Sequence, residues 1–379
     1  LLIRTARAKF FRIAVTLSAP TKPPNRPQTQ TRARRGLVAP LLLAFLLSAC
    51  NSANPSVTNQ SNPTPRADST IPPIAATDVP ASPTTVTVTQ SAPAERFNGM
   101  RAYDDVLAQM RFGARPAGSL ALRATGDYIL NELDKSGWQT ETQEFDYRGI
   151  PIRNIIAKTN IGQGPVVIVG AHYDTRPRAN MDKQNPSAPV PGANDGASGV
   201  AVLLELARAL DKTKLKNEIW LAFFDAEDNG DLSACDLRVA PQQKPTALCD
   251  TSVWTWSIGA EHVAETLNMK PAAVIILDMI GDADQNIYYE ANSDQELNQQ
   301  LWNIAAQLGY RQWFIPQVRW SMSDDHTPFL EKGIRAVDMI DFDYPPWHTT
   351  QDTADKVSAD SLERVGRVMQ TWLEGGVKE

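Results

Sequence analysis

Residues 166–177, V-V-I-V-G-A-H-Y-D-T-R-P, and residues 191–199, P-G-A-N-D-G-A-S-G, flank a Pro- and Asn-rich excursion and decide the fold. The first opens with an apolar, β-branched run, which reads as a buried strand, and it stops at two potential metal ligands, His172 and Asp174. In an open α/β sheet the crevice beyond the carboxyl ends of the strands is where ligands sit. Asp195 lies in a Gly-flanked turn before the apolar-periodic helix expected over 200–210, so its carboxylate can reach the same crevice. An Asp at that place also serves as an ordinary helix N-cap, and a lone H-x-D is a weak signal.

The pattern recurs, and recurrence gives it weight. Residues 219–224 run into Asp225-Ala226-Glu227-Asp228, residues 273–277 run into Asp278, and Trp347-His348 follows the apolar stretch 334–340. Carboxylates and imidazoles at several strand ends converge on one edge of one sheet. Zinc suits such a His-plus-carboxylate set, with an open position where the site is catalytic. Only four histidines occur in the chain, and two of them, His172 and His348, stand at these places.

Outward from this centre, helical spacing is expected over 97–112 and 120–136, and strands over 139–147 and 152–158. Strand and helix then alternate: 166–171, 200–210, 218–224, 259–267, 273–278, 296–308, 335–340 and 361–372. The expected fold is therefore α/β, a three-layer sandwich with a central mixed, mostly parallel sheet flanked by helices. Two long loops, 175–193 and 229–256, leave ligand-bearing strand ends and are expected to shape the mouth of the site.

The amino-terminal quarter differs. Residues 1–36 are rich in Arg and Lys and contain no acids, and 37–49 are apolar apart from Pro40 and Ser48. That run is too short to span a bilayer and fits a signal-peptide core. It closes on Leu47-Ser48-Ala49-Cys50, which resembles a bacterial lipobox, so residues 1–50 read as a signal peptide with Cys50 as the lipidated residue; cleavage near Ala49 is the alternative. The first residue is Leu, and a translation start downstream of it is expected. Residues 51–95 are dominated by Ser, Thr, Pro, Asn and Ala, have no aromatics, and read as a disordered tether to a catalytic domain over 96–379. The expected location is outside the cytoplasm, lipid-anchored at the outer face of the cell membrane or in the periplasm. In such a compartment Cys235 and Cys249 are expected to form a disulfide, worth about 3 kcal/mol by loop-closure entropy. Net charge is −6, with no long basic run in the last three quarters, which argues against nucleic acid as a partner.

The ordered motifs H-x-D, G-A-N-D-G-A-S-G, D-A-E-D, L-D-M-I-G, D-D-H-T-P-F and W-H-T over residues 98–375 resemble the superfamily of zinc aminopeptidases (metallopeptidase family 28) and glutaminyl-peptide cyclotransferases. Within it, A-H-Y-D-T-R-P, D-A-E-D, D-D-H and W-H-T most resemble bacterial glutaminyl cyclases of the animal type. The resemblance implies Asp195, Asp228 and His348 as zinc ligands, with Asp228 standing where Glu is more frequent. It implies Glu227 as general acid/base, and Asp278 with Asp324 or Asp325 as hydrogen-bonding partners in catalysis. In the aminopeptidase branch His172 and Asp278 would instead hold a second zinc. Trp347 matches a pocket aromatic, Trp256 is a pocket candidate by its place in the long loop, and Asp325 is a further candidate at the pocket. His326 is expected to pin its loop, and His262 to be an exposed or satisfied helix histidine. Three functions are thus implied: a one-zinc glutaminyl cyclase acting on peptide or protein N-termini, a two-zinc aminopeptidase, and a metal-free surface-anchored binding domain. Every ligand position is filled, which weighs against the third.

Overall fold

The computed structural model describes residues 96–233, 235 and 252–377. Cys50, Cys249 and the expected leader and tether lie outside the described residues.

Two helices open the domain, α1 (Gly99–Met110) and α2 (Leu120–Lys135), capped by the side chains of Asn98 and Ser119. A hairpin of β1 (Gln139–Tyr147) and β2 (Ile150–Thr159) follows, and then β3 (Val166–His172), α3 (Ala197–Ala209), β4 (Glu218–Phe224), α4 (Ile258–Thr266) and β5 (Ala273–Asp278). The order β1-β2-β4-β3-β5-β8, closed by β8 (Ala336–Ile340), makes one six-stranded sheet. β1, β2 and β4 pair antiparallel; β4, β3, β5 and β8 pair parallel. The sheet is mixed and mostly parallel, as the strand-helix alternation implies.

Alternate residues of the central strands build two cores. Val167, Val169 and Ala171 of β3, with Ala273, Ile275 and Leu277 of β5, pack with α1, α3 and α7 (Ala359–Gly375). Val166 and Ile168, with Val274 and Ile276, pack against α4 and the short α6 (Thr327–Glu331). Period two along each strand thus generates the three layers. Strands covered on both faces read as continuous apolar runs, which is why these were visible in the sequence. Edge strand β1, in contrast, is largely exposed and polar.

α3 begins at Ala197 rather than near 200, because Ala197-Ser198-Gly199 are buried against the sheet and too small to show a periodicity. A Cβ on Gly199 would lie 2.1 Å from the Leu277 carbonyl oxygen and 2.8 Å from Ala171 Cβ. Gly199→Ala is therefore expected to cost about 1–3 kcal/mol, read as a lowered unfolding midpoint in urea at unchanged slope. A midpoint equal to the parent's would show that helix and strand can separate freely.

Four elements escaped the sequence reading. A small parallel pair, β6 (Ile287–Glu290) with β7 (Phe314–Trp320), is flanked by α5 (Gln295–Gln307), and α6 and a 3-10 turn at Ala354–Lys356 complete the chain. α5 itself was expected; β6 is short, and β7 is mostly exposed, so neither presents an apolar run.

Candidate active site

The crevice lies at the carboxyl ends of β3, β4, β5 and β8, where the order reverses about β3. His172 ends β3 and Asp278 ends β5; Glu227 and Asp228 follow β4, and His348 follows β8. Three non-glycine residues at this edge are left-handed, Ala226 (φ 59), Met279 (φ 44) and His348 (φ 53). Backbone strain of this kind turns the chain sharply where side chains must be aimed.

Two buried carboxylates hold the ligand turns from behind. Asp174 Oδ1 accepts the Glu227 N–H, and Oδ2 accepts the Asp228 N–H and Asn229 Nδ2, each at 3.1 Å. Asp352 Oδ1 accepts the Asn194 N–H at 2.8 Å, and Oδ2 the Asp195 N–H at 3.1 Å. Asp174, a potential ligand by sequence, thus spends both oxygens on the chain and stands outside the metal-ligating clusters. Arg115, fully buried, donates to the carbonyls of Tyr173, Pro191 and Gly192 and so ties the α1–α2 loop to the Asp195 turn.

Among the described residues two clusters that could hold a metal ion share Asp195: Asp195, Asp228 and His348, and His172, Asp195 and Asp278. In the first, His348 Nε2 is 3.1 Å from Asp228 Oδ1 and 3.8 Å from Asp195 Oδ2. Asp195 Oδ2 and Asp228 Oδ2 are buried and accept no hydrogen bond. Burial pushes His348 down to about 3, leaving a neutral ring with a free lone pair, and pushes Asp228 up to about 7 despite Arg176 beside it. Buried acceptors facing one another without a donor call for a cation. Two carboxylates and an imidazole make a donor set that suits zinc. The second cluster is partly satisfied internally, with His172 Nδ1 left without a hydrogen bond. His172 Nε2 is 3.2 Å from both Asp195 Oδ1 and Asp278 Oδ1, and its Nδ1 is 3.4 Å from Asp174 Oδ1, an ion-pair rather than a good hydrogen-bond distance. Burial disfavours the imidazolium, but the surrounding carboxylates outweigh it and hold His172 well above its ordinary value.

A cavity of about 270 Å³ opens onto the first cluster, lined by Asp195, Glu227, Asp278, Asp324 and His348. Its apolar walls include Trp256, Trp347, Phe342 and Met322. Trp347 stacks on His348 at 3.8 Å, and Phe342 meets Trp347 edge-on at 4.8 Å. Burial, and then the charge of Asp324, holds Glu227 well above the usual carboxylate range. Of the two carboxylates left open by sequence, Asp324 lines the cavity, whereas Asp325 is fully buried and does not. His326 is buried 3.2 Å from Glu290 at the start of α6, and His262 stacks on Phe145. A larger cleft, about 440 Å³ between Gly118, Phe145 and Asp225, contains neither metal-ligating cluster.

The model of peptidase family M28 matches residues 154–373, from β2 to α7. The chain belongs to peptidase family M28. This M28 chain is similar to Bacteroides thetaiotaomicron glutaminyl cyclase bound to N-acetylhistamine, at 28% identity and a TM-score of 0.66 over 74% of this chain and 99% of that one. A Zn-dependent exopeptidase from Parabacteroides distasonis is also 28% identical, with a TM-score of 0.64 over 73% of this chain and 98% of the other. The glutaminyl-peptide cyclotransferase of Boiga dendrophila is 25% identical over 293 residues, 68% of this chain and 75% of that protein.

Sequence reasoning missed Asp352, Phe342, Met322 and the function of Asp174. Asp352 had a signal, four residues after His348 in W-H-T-T-Q-D, and Phe342 had one as an aromatic between β8 and the same motif.

Proposed function

We propose that this M28 protein is a zinc-dependent glutaminyl-peptide cyclotransferase, turning an N-terminal Gln into pyroglutamate with release of ammonia. The observation that carries the reading is the pairing of Glu227 and Asp324 in a small cavity walled by Trp256, Trp347 and Phe342, beside the unpartnered oxygens of Asp195 and Asp228. Similarity to glutaminyl cyclases over almost their full length supports it.

Asp195, Asp228 and His348 would hold one zinc. Bound there, zinc supplies Lewis acidity toward the γ-amide carbonyl of the substrate. The nucleophile is the substrate's own α-amine, and enclosure by the aromatic walls brings it to the amide carbon, Cδ, and limits water. The α-nitrogen bonds to the side-chain amide carbon, Cδ, and the Cδ–NH2 bond breaks. Glu227 takes the proton from the amine and passes it to the leaving nitrogen, which departs as ammonia. Asp324 and Asp278 orient these groups from the cavity wall.

The second cluster, His172 with Asp195 and Asp278, favours a two-zinc aminopeptidase as the other reading. Zinc content and product analysis separate the two. A Gln-initiated peptide should lose the mass of one ammonia with one zinc per chain, and a Leu-initiated peptide should stay intact. Release of free Leu at a comparable rate with two zinc ions bound would move the assignment to the aminopeptidase.

Export and two fates of cysteine belong to the same proposal. Ser233 and Val253 form an antiparallel bridge, so the ends of the segment between them meet, with Cys235 just inside it. Cys235 and Cys249 are expected to be bonded; two free thiols in denatured, non-reduced protein from an oxidising compartment would refute this. Cys50→Ser should shift the protein from the membrane to the soluble fraction, and a wild type already soluble after lysis would exclude the lipid anchor.

A further inference from the structure

Arg176 is a buried cation that the reaction does not use. The residue is 3% exposed, yet its side-chain nitrogens all find oxygen: Nε donates to Asn180 Oδ1 at 2.6 Å and Nη2 to the Gly230 carbonyl at 3.2 Å. Nη1 donates at 3.3 Å to both the carbonyl and Oδ1 of Asp228. That carboxylate oxygen also lies 3.1 Å from His348 Nε2. The guanidinium centre is 4.8 Å from the ring of Trp256, which packs over Gly230 where a Cβ would come within 2.2 Å of the ring.

A fixed positive charge against a carboxylate that faces a dication site opposes metal binding, and neutral amides could satisfy the same carbonyls. The placement therefore makes sense for its effect on Asp228. A carboxylate oxygen that shares its charge with a guanidinium has less to donate to a metal. We infer that Arg176 is a positioning residue that limits the donor strength of Asp228 and so keeps zinc at Asp195, Asp228 and His348 a strong Lewis acid. The inference rests on the reading that these three residues hold zinc. The same guanidinium lies against a face of Trp256, so the charge that tunes the ligand also holds one wall of the cavity.

The test compares Arg176→Gln, which removes the charge, with Arg176→Lys, which keeps it. Zinc affinity is measured by competition with a chelator, and cobalt-loaded protein is followed by its visible absorption. Arg176→Gln should bind zinc about tenfold more tightly, the Coulomb scale of removing one opposing unit charge a few ångströms away in a partly screened site, and its cobalt bands should move. Its kcat on a Gln-initiated peptide should fall about tenfold, while its KM rises as Trp256 loses its support. Arg176→Lys should keep the wild-type zinc affinity and cobalt spectrum. Arg176→Met, closer to arginine in length, replaces the Gln variant if that chain does not fold. Equal loss of zinc in the Lys and neutral variants would make Arg176 a packing residue only, and unchanged affinity and spectrum in the neutral variant would also overturn the inference. Zinc retained after His348→Ala would instead displace the metal-site reading itself.

Discussion

Glu227→Gln is expected to cut turnover of a Gln-initiated peptide by about two to four orders of magnitude while zinc content stays near one per chain. The substitution is close to isosteric and leaves intact the hydrogen bond from the Glu227 N–H to Asp174, so the loop carrying Asp228 keeps its place. What is lost is a group able to take a proton from the attacking amine and return it to the leaving nitrogen. Asp195, Asp278 and Asp324 also line the cavity, but the proposal assigns them to zinc and to orienting the substrate rather than to proton transfer. Metal analysis and single-turnover kinetics on the same preparation check this. Near-normal turnover would remove Glu227 from proton transfer, and loss of zinc would make it a ligand.

His348→Ala should have the opposite signature. The imidazole is the one neutral donor in its cluster, 3.1 Å from Asp228 and 3.8 Å from Asp195, and its removal leaves two buried carboxylates facing each other. Zinc content should fall to background and turnover to that of the zinc-free wild type. The variant should still fold, because Asp174 and Asp352 hold the ligand turns independently of the imidazole. Full zinc occupancy in folded His348→Ala protein would place the metal at the His172 cluster.

Much of this was legible in the sequence for a physical reason. β3, β4 and β5 are buried on both faces, so they appear as unbroken apolar runs, and their ends stand out because His172, Asp225 to Asp228 and Asp278 interrupt those runs abruptly. β6 and β7 were not legible, since a short strand beside a mostly exposed one carries neither apolar run nor clean alternation. Within the site, the charged side chains and the two tryptophans that face the cavity were readable by type, whereas the apolar Phe342 and Met322 were not. Those acting on backbone were not: the groups that Asp174 and Asp352 bind are N–H donors, which every non-proline residue carries. Nor does the sequence show that Arg176 and Trp256, from two long loops, meet over Gly230.

The two carboxylate straps also govern when the site acquires its shape. Because Asp174 and Asp352 bind amides of the chain itself, the turns bearing Asp195 and Asp228 are ordered by folding, and the conformational entropy of arranging them is lost before any ion arrives. A metal then meets a rigid socket rather than gathering flexible ligands. The backbone amides of Asn194, Asp195, Glu227 and Asp228 should accordingly exchange with solvent deuterium slowly in chelator-treated protein as well as in loaded protein. Zinc would raise the unfolding temperature by mass action alone, in proportion to its binding, without changing which parts of the chain unfold together.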